Sequence, residues 1–300
     1  MSDKTILFNA WLQGPLTVNE DQKYRHRRLD EENTIRGEIL PQIKRIVYEA
    51  HEDARRRLRR IEGVPLDPLE ILSCQDPAEG YPERLHMTTL MGYFGEVFAG
   101  IICENFAPLG ETRWKVPAYL FRFHLDEFRH LDQVHQIGVA EDPDRERRFG
   151  RTGDDCLAFI LDENGKIIRS MFCEAKCLNE HDNRKVDEAH KKLSDVIITP
   201  LDRQQLIDVL LDSDDPEAAV WVEALRTLRF QSNDPDLERC DLVCYVCGEP
   251  PIRSDARIPK ESPHPDYKGD RCLEAVEVYI HQVRQLVKEV YGKDDDESHG

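Results

Sequence analysis

The segment from residue 151 to 177 constrains the fold most strongly, because it reads as two strands joined by a tight turn. The apolar run CLAFIL begins at Cys156, and the second run, IIRSMFCEAK, ends at Lys176. Asn164-Gly165 lies between them, and Asn-Gly between two apolar runs is a strong signal for a β-hairpin. We therefore expect an antiparallel pair of strands near the middle of the chain.

The second strand of this hairpin carries Glu174 and Lys176, two positions apart, so both side chains leave the same face. Pairing across the hairpin is expected to bring Asp155 beside them. Two carboxylates at one place repel each other, which raises a pKa unless a cation is bound there. Hard oxygen ligands suit Mg²⁺, which binds through one or two carboxylates together with water and substrate phosphate. A neighbouring lysine would orient or activate the attacking water, or stabilise charge that builds on phosphorus.

An aspartate, a hairpin and then Glu174-x-Lys176 resemble the core of the PD-(D/E)xK nuclease superfamily, whose members cut phosphodiester bonds with a divalent metal. The resemblance spans residues 85–250 and implies an α/β fold, a small mixed sheet flanked by helices, with a helical N-terminal region. It implies that Asp155 and Glu174 bind Mg²⁺ (or Mn²⁺) and that Lys176 is their catalytic partner. It also implies a glutamate on a helix before the hairpin, for which Glu96 in the run GEVFAG is the candidate.

One departure from the family pattern concerns the first aspartate. Gly153 lies in the region where the family has a proline, so the choice between Asp154 and Asp155 as the ligand stays open. We favour Asp155, because it then shares a strand face with Leu157 and Phe159.

The layout is also similar to the nuclease subunits of Hachiman-type antiphage systems, which act with a helicase. That similarity implies a defence effector that cleaves DNA with a helicase or ATPase partner. The formal net charge of −18 is unfavourable for binding DNA alone, because phosphate contacts need positive charge. Either the basic residues cluster or a partner supplies the affinity for DNA.

Two arginine clusters exist, each of which is equally consistent with a solvated helix or loop face. They are Arg55, Arg56, Arg57, Arg59 and Arg60, and then Arg145, Arg147, Arg148 and Arg151. The second cluster directly precedes the proposed metal site, so Arg148 and Arg151 are candidate substrate-binding residues. A helix follows the E-x-K strand, and Lys191 on it is a further candidate, together with its neighbours Lys185, His190 and Lys192.

Each proposed site residue also has an ordinary structural interpretation. Glu174 and Lys176 could form a solvated ion pair at a strand end, Asp154-Asp155 a turn, and Glu96 an exposed helix position. For the whole chain, the alternative is a catalytically silent nucleic-acid-binding or assembly module of the same fold. A hydrolase of another substrate is disfavoured, because G-x-S-x-G, H-E-x-x-H and P-loop motifs are absent.

Composition and spacing suggest a soluble, cytoplasmic protein without a secretory signal or membrane span. The chain has 33% charged and 40% hydrophobic residues, and its nine cysteines are scattered, which favours reduced thiols over a disulfide framework. The expected organisation is a mostly helical N-terminal region (1–80), a nuclease-like α/β core (81–292) and a disordered acidic tail (293–300).

Apolar periodicity places the remaining elements. We predict an edge strand at 4–13, helices at 30–62 (with Pro41 at a kink or start), 82–106, 182–196, 202–212, 216–230 and 271–291, and strands at 113–125 and 240–248. The last strand contains Cys244-x-x-Cys247, but a strand points these thiols to opposite faces, so packed thiols are favoured over a zinc site. Structural or surface roles are likewise favoured for His124, His130 and His135.

Overall fold

The structure, a computed structural model, describes residues 3–62, 76–123, 156–195, 200–228, 237–252 and 255–293. Within these ranges, seven helices flank one mixed sheet of seven strands. The helices are α1 (Asp3–Trp11), α2 (Arg36–Glu62), α3 (Met87–Asn105), α4 (Asn183–Asp195), α5 (Pro200–Asp212), α6 (Ala218–Thr227) and α7 (Val283–Tyr291). The strands are β1 (Leu12–Gln13), β2 (Leu16–Val18), β3 (Tyr24–Glu31), β4 (Cys156–Leu161), β5 (Ile167–Leu178), β6 (Glu238–Cys247) and β7 (Cys272–Tyr279).

The sheet has the strand order β1-β3-β7-β6-β5-β4, and β2 also pairs with β3. Strands β3, β7, β6 and β5 run parallel, whereas β4 is antiparallel to β5 and both β1 and β2 are antiparallel to β3. The four parallel strands therefore end at the same edge of the sheet.

The predicted hairpin is confirmed as β4 and β5, with Cys156 opposite Cys173 in the ladder. Its turn forms because Gly165 adopts a φ of 77°, which glycine accepts without steric cost. The carboxylate of Asp162 closes the turn by accepting N–H groups from Asn164 (2.9 Å) and Lys166 (2.8 Å). The local sequence thus fixes the register of the strand that carries Glu174.

Two hydrophobic cores lie on opposite faces of the sheet. Helices α1, α2, α3 and α7 cover one face, on which Cys173 and Ala175 of β5 are buried. Helices α4, α5 and α6 cover the other face, to which Phe172 contributes. We call these the α3 face and the α4 face. Because side chains alternate along a strand, Glu174 and Lys176 belong to the α4 face with Phe172.

The predicted edge strand at 4–13 is wrong, since this segment forms α1 and then the two residues of β1. Phe8 and Trp11 explain the helix: they are three positions apart, so they lie on one helical face, and both are completely buried. Their rings contact each other at a centroid distance of 6.4 Å. The apolar run is too short to distinguish the period of a helix from that of a strand. Packing against the core selects the helix.

The predicted helix at 271–291 is also wrong over its first half, which is strand β7, and only the second half is helix α7. In β7, Val276 and Val278 are buried on the α3 face, whereas Leu273 and Ala275 are buried on the α4 face. β7 is buried on both faces, and its two glutamates pair with residues of β3, so its sequence lacks the alternation that marks a half-exposed strand.

The predicted strand at 113–125 reduces, in the described residues up to 123, to one bridge between Lys115 and Phe159. Leu120 and Phe121 are both buried, but they enter opposite cores although they are consecutive. The segment is therefore an irregular connection around the edge of the sheet near β4. The apolar content that suggested a strand reflects this crossing between the two cores.

The N-terminal region is largely helical, as predicted, but it also contributes β1, β2 and β3 to the sheet. Strand β3 escaped prediction because its sequence, YRHRRLDE, is highly charged. Two of its residues pair with β7: His26 lies 2.8 Å from Glu277, and Arg27 lies 2.8 Å from Glu274. Pairing with distant carboxylates makes a charged strand compatible with a central position in the sheet.

The other predicted elements are confirmed within the described residues, with shifts of their ends: helices α2, α3, α4, α5 and α6, and strand β6. Pro41 lies in the second turn of α2. Cys244 and Cys247 do belong to opposite faces of β6. The eight cysteines in the described part of the chain are free, and seven of them are buried. No described helix combines the length and the apolar character that crossing a membrane requires.

Candidate active site

The carboxylate of Glu174 is completely buried on the α4 face of the sheet. Lys176, two residues further along β5, places its Nζ 2.5 Å from Glu174 Oε1, so the prediction that both side chains leave one face is confirmed. The Lys176 side chain keeps 22% of its surface exposed. The alternative interpretation, a solvated ion pair, is therefore wrong for Glu174, which is buried, and holds in part for Lys176, which is partly exposed. Burial of a carboxylate requires a compensating cation, which the neighbouring lysine supplies.

A second lysine, Lys192 of α4, forms an ion pair with the other oxygen of Glu174, Oε2. Helix α4 packs on the sheet through Val186, Ala189 and Leu193, which are all buried. Lys192 lies at the flank of this apolar stripe, and its side chain is 26% exposed. Each oxygen of one buried carboxylate therefore faces an ammonium group from a different element.

Hydrogen bonds from the sheet fix the start of α4. Tyr245 of β6 is the ladder neighbour of Lys176, and its hydroxyl lies 2.7 Å from His181 Nδ1. The other ring nitrogen of His181 lies 2.8 Å from Asn183 Oδ1, in the first residue of α4. Burial raises the pKa of Tyr245 above its ordinary value, so the hydroxyl stays protonated and able to donate. These contacts help to fix the position of the helix that carries Lys192.

Glu96 is also buried, with 3% of its surface exposed, so its interpretation as an exposed helix residue is wrong. Its helix, α3, approaches β5 closely because the preceding residue is glycine: a Cβ on Gly95 would lie 3.1 Å from the Cβ of Cys177. Helix α3 covers the α3 face, whereas Glu174 and Lys176 leave the α4 face. The sheet therefore lies between the helix that carries Glu96 and the pair of Glu174 and Lys176.

The other predicted ligand and its neighbours lie outside the described residues. This applies to Asp154, Asp155, Arg145, Arg147, Arg148, Arg151, His124, His130 and His135. The described part of β4 shows that Leu157 and Phe159 belong to the α4 face, the face of Glu174. Lys191 is described and is exposed.

The first arginine cluster is largely neutralised, which agrees with its interpretation as a helix face and argues against an open basic surface. Arg56 pairs with Asp53 and Asp214, and Arg60 pairs with Asp212. Two more of these arginines pair as well, Arg55 with Glu52 and Glu83, and Arg59 with Glu52 and Asp76. These contacts join α2 to the end of α5, to the segment after it and to the loop before α3.

Sequence reasoning named Lys191 as the main basic candidate on α4, whereas the structure brings its neighbour Lys192 to Glu174. The signal was present in the spacing of Val186, Ala189 and Leu193, which marks the face of α4 that packs on the sheet. The lysine directly before Leu193 must lie at the border of that face.

A second polar cluster joins α4 to the loop before β7. Asp187, His264 and Asp266 bring carboxylate and imidazole atoms within 4.8 Å of one another. The two ring nitrogens of His264 face different aspartates: Nε2 lies 3.4 Å from Asp187, whereas Nδ1 lies 3.8 Å from Asp266 and accepts its backbone N–H. Since Nδ1 already accepts an N–H, and one imidazole nitrogen at a time can ligate a metal, this geometry fits a polar contact between α4 and the loop better than a metal centre.

Glu174 offers a magnesium ion one carboxylate. Carboxylate oxygens are the kind of ligand that Mg²⁺ selects, and Mg²⁺ commonly binds through one or two carboxylates with the rest water and phosphate. Each oxygen of Glu174 already faces an ammonium group, so the site accommodates positive charge next to this carboxylate.

Comparison of the chain with protein-family models and with curated proteins found no match in either case. The functional interpretation therefore depends on the geometry of the site and on the resemblance carried by its residues.

Proposed function

We propose that the chain is a Mg²⁺- or Mn²⁺-dependent nuclease that cleaves phosphodiester bonds of DNA. The observation that supports the proposal is the buried carboxylate of Glu174 with the Lys176 ammonium 2.5 Å away, between the buried apolar residues Cys173 and Ala175. Burying a carboxylate and its lysine partners costs free energy of folding. Such buried charge clusters occur often at functional sites, so this cluster is a candidate for function.

In this proposal Glu174 and Asp155 hold the metal. Glu96 is given no role in it, because its helix covers the α3 face whereas Glu174 leaves the α4 face. Asp155 is assigned because it precedes Cys156 in sequence, and the ladder partner of Cys156 is Cys173, which precedes Glu174. When bound, the metal supplies positive charge at the scissile phosphate and makes water more acidic. Lys176 orients the attacking water or stabilises negative charge on the phosphoryl oxygens.

The proposed substrate contacts are Arg148, Arg151 and Lys191, which would bind the phosphate backbone. The net charge of −18 opposes DNA binding by the chain alone, so we propose a helicase or ATPase partner that delivers DNA. In that assembly the chain would act in the cytoplasm as an effector of antiphage defence.

Cleavage of plasmid and single-stranded DNA with Mg²⁺ or Mn²⁺, compared with EDTA, tests the nuclease. We expect Glu174→Gln and Lys176→Met each to lower the cleavage rate by about a hundredfold or more, because each removes one part of the reacting site. Glu180→Gln is the matched control, since it removes the same charge from an exposed position nearby. Thermal unfolding verifies that the variants are folded, and cleavage retained by both site variants would refute the assignment.

The second candidate is a catalytically silent nucleic-acid-binding or assembly module. The observation that favours it is that both oxygens of Glu174 already pair with ammonium groups, so the fold is compensated without a metal. Calorimetric titration with Mn²⁺ separates the candidates: a folded chain that binds no Mn²⁺ is not the proposed nuclease. A chain that binds Mn²⁺ but cuts only after a helicase partner is added is a nuclease under control.

A further inference from the structure

The two lysines that face Glu174 differ in how firmly they are held. Lys176 belongs to the same strand, two residues from Glu174, so its backbone stays beside the carboxylate in any folded state. Lys192 comes from another element, and its contact with Oε2 depends on the conformation of its own long side chain. A lysine stem is flexible and carries a compact, strongly hydrated charge, so this contact can be exchanged.

Solvent exposure indicates which partner of this ion pair can leave it. Glu174 is fully buried and needs a cation at all times, whereas the Lys192 side chain is 26% exposed and can turn its ammonium into water. The backbone of Lys192 is fixed meanwhile, because its helix packs on the sheet through the buried residues Ala189 and Leu193. Release of the ammonium therefore requires a side-chain rotation and no movement of the fold.

We propose that Lys192 is the resident counter-cation of Glu174 that a divalent metal displaces, so that Lys192 sets the metal affinity of the site. The inference rests on the proposed metal-dependent function and adds a residue to it. The Lys192 ammonium and a metal ion repel each other and cannot both contact Glu174 Oε2 from the same direction. They therefore compete for this oxygen. The metal-free fold remains compensated by Lys192, and metal binding frees a positive charge at the edge of the site.

Calorimetric titration with Mn²⁺, without nucleic acid, tests the competition. Lys192→Met preserves most of the stem and removes the charge, so the metal no longer displaces an ammonium. We expect the Kd for Mn²⁺ to fall by about tenfold or more, the scale of one charge-assisted hydrogen bond. Lys44→Met is the control, because it removes the same charge from an exposed lysine on α2, and its Kd should stay within about twofold of the wild type.

The gain must also depend on Glu174: Glu174→Gln in the Lys192→Met background should abolish it. An unchanged or weaker affinity in Lys192→Met overturns the inference but leaves the nuclease proposal intact. If neither the wild type nor Lys192→Met binds Mn²⁺, both are overturned. Thermal unfolding in EDTA verifies folding, and Lys192→Gln, which retains a polar end group, replaces Lys192→Met if that variant unfolds.

Discussion

Asp53 on α2 provides a quantitative test of the electrostatics of this fold. Burial raises its pKa from 3.8 to about 6; the nearby Arg56 lowers it, and the negative charges of Asp212, Glu52 and Asp214 raise it. Arg56 lies 3.3 Å from the carboxylate, which is 16% exposed. The ion pair thus compensates the burial only in part, and at neutral pH the folded chain holds an unfavourable charge.

The sign follows from the two pKa values. Between pH 3.8 and 6 the folded state binds a proton that the unfolded state has released, so the penalty of Asp53 grows as the pH rises and is complete above 6. A difference of about two pKa units corresponds to about 3 kcal/mol. Asp53→Asn removes this penalty and retains an oxygen that can accept from Arg56. It should therefore stabilise the protein at pH 7 by up to about 3 kcal/mol, and hardly at pH 4.

Urea unfolding of wild type and Asp53→Asn at pH 7 and pH 4 measures the effect. Glu20→Gln is the control, because it removes the same charge from an exposed position and should change the free energy of unfolding by less than about 0.5 kcal/mol. The reasoning is refuted if Asp53→Asn destabilises the protein at pH 7, or if its effect is the same at both pH values.

Two further predictions concern packing and a buried histidine. In α3, Gly95→Ala should lower the free energy of unfolding by about 1–3 kcal/mol, because its Cβ would lie 3.1 Å from Cys177 Cβ; Gly92→Ala, with no atom within 4 Å, should raise it by up to about 1 kcal/mol. Equal effects of the two changes in urea unfolding would contradict the packing of α3 on β5. Burial lowers the pKa of His190 from 6.5 to about 4, so the unfolded state alone binds a proton in that window and stability falls as the pH drops. His190→Asn, which can still donate to Val186, should remove about 3 kcal/mol of that fall between pH 7 and pH 4; an unchanged pH profile would show that His190 does not titrate as inferred.

The hairpin and its Glu-x-Lys pair could be predicted because their signals are local. Asn164-Gly165 determines the turn, and the spacing of Glu174 and Lys176 determines their common face. None of these inferences required knowledge of which distant elements would pack on the strand.

The predictions from sequence fail where residues far away in the chain determine the local structure. The charged strand β3 is stable because β7 supplies Glu274 and Glu277, which lie 247 and 251 residues away from their partners Arg27 and His26. The prediction of a helix at the start of β7 failed for the same reason, since two buried faces remove the period that distinguishes a strand. The sequence does not single out Lys192, because its contact with Glu174 depends on where α4 packs on β5.

Other carboxylates buried in the described strands are held by donors that cannot easily leave. Glu277 accepts the backbone N–H of Ile258 at 2.7 Å, a donor fixed by the chain itself. Asp241 accepts from the Tyr267 hydroxyl at 2.7 Å and from Arg271 Nε at 2.8 Å. Backbone amides and rigid guanidinium groups give these acids permanent partners, which suits a structural role.

Glu174 is compensated in a different way, by two lysine ammonium groups whose side chains are both partly exposed. An ammonium on a flexible stem is the kind of partner that can make room for a metal ion or turn towards a phosphate. Glu277 and Asp241 thus have fixed donors, whereas Glu174 faces two ammonium groups on flexible stems, which fits the metal site proposed for it. The type of donor, more than the burial itself, is therefore what separates the candidate catalytic carboxylate from its structural neighbours on the same sheet.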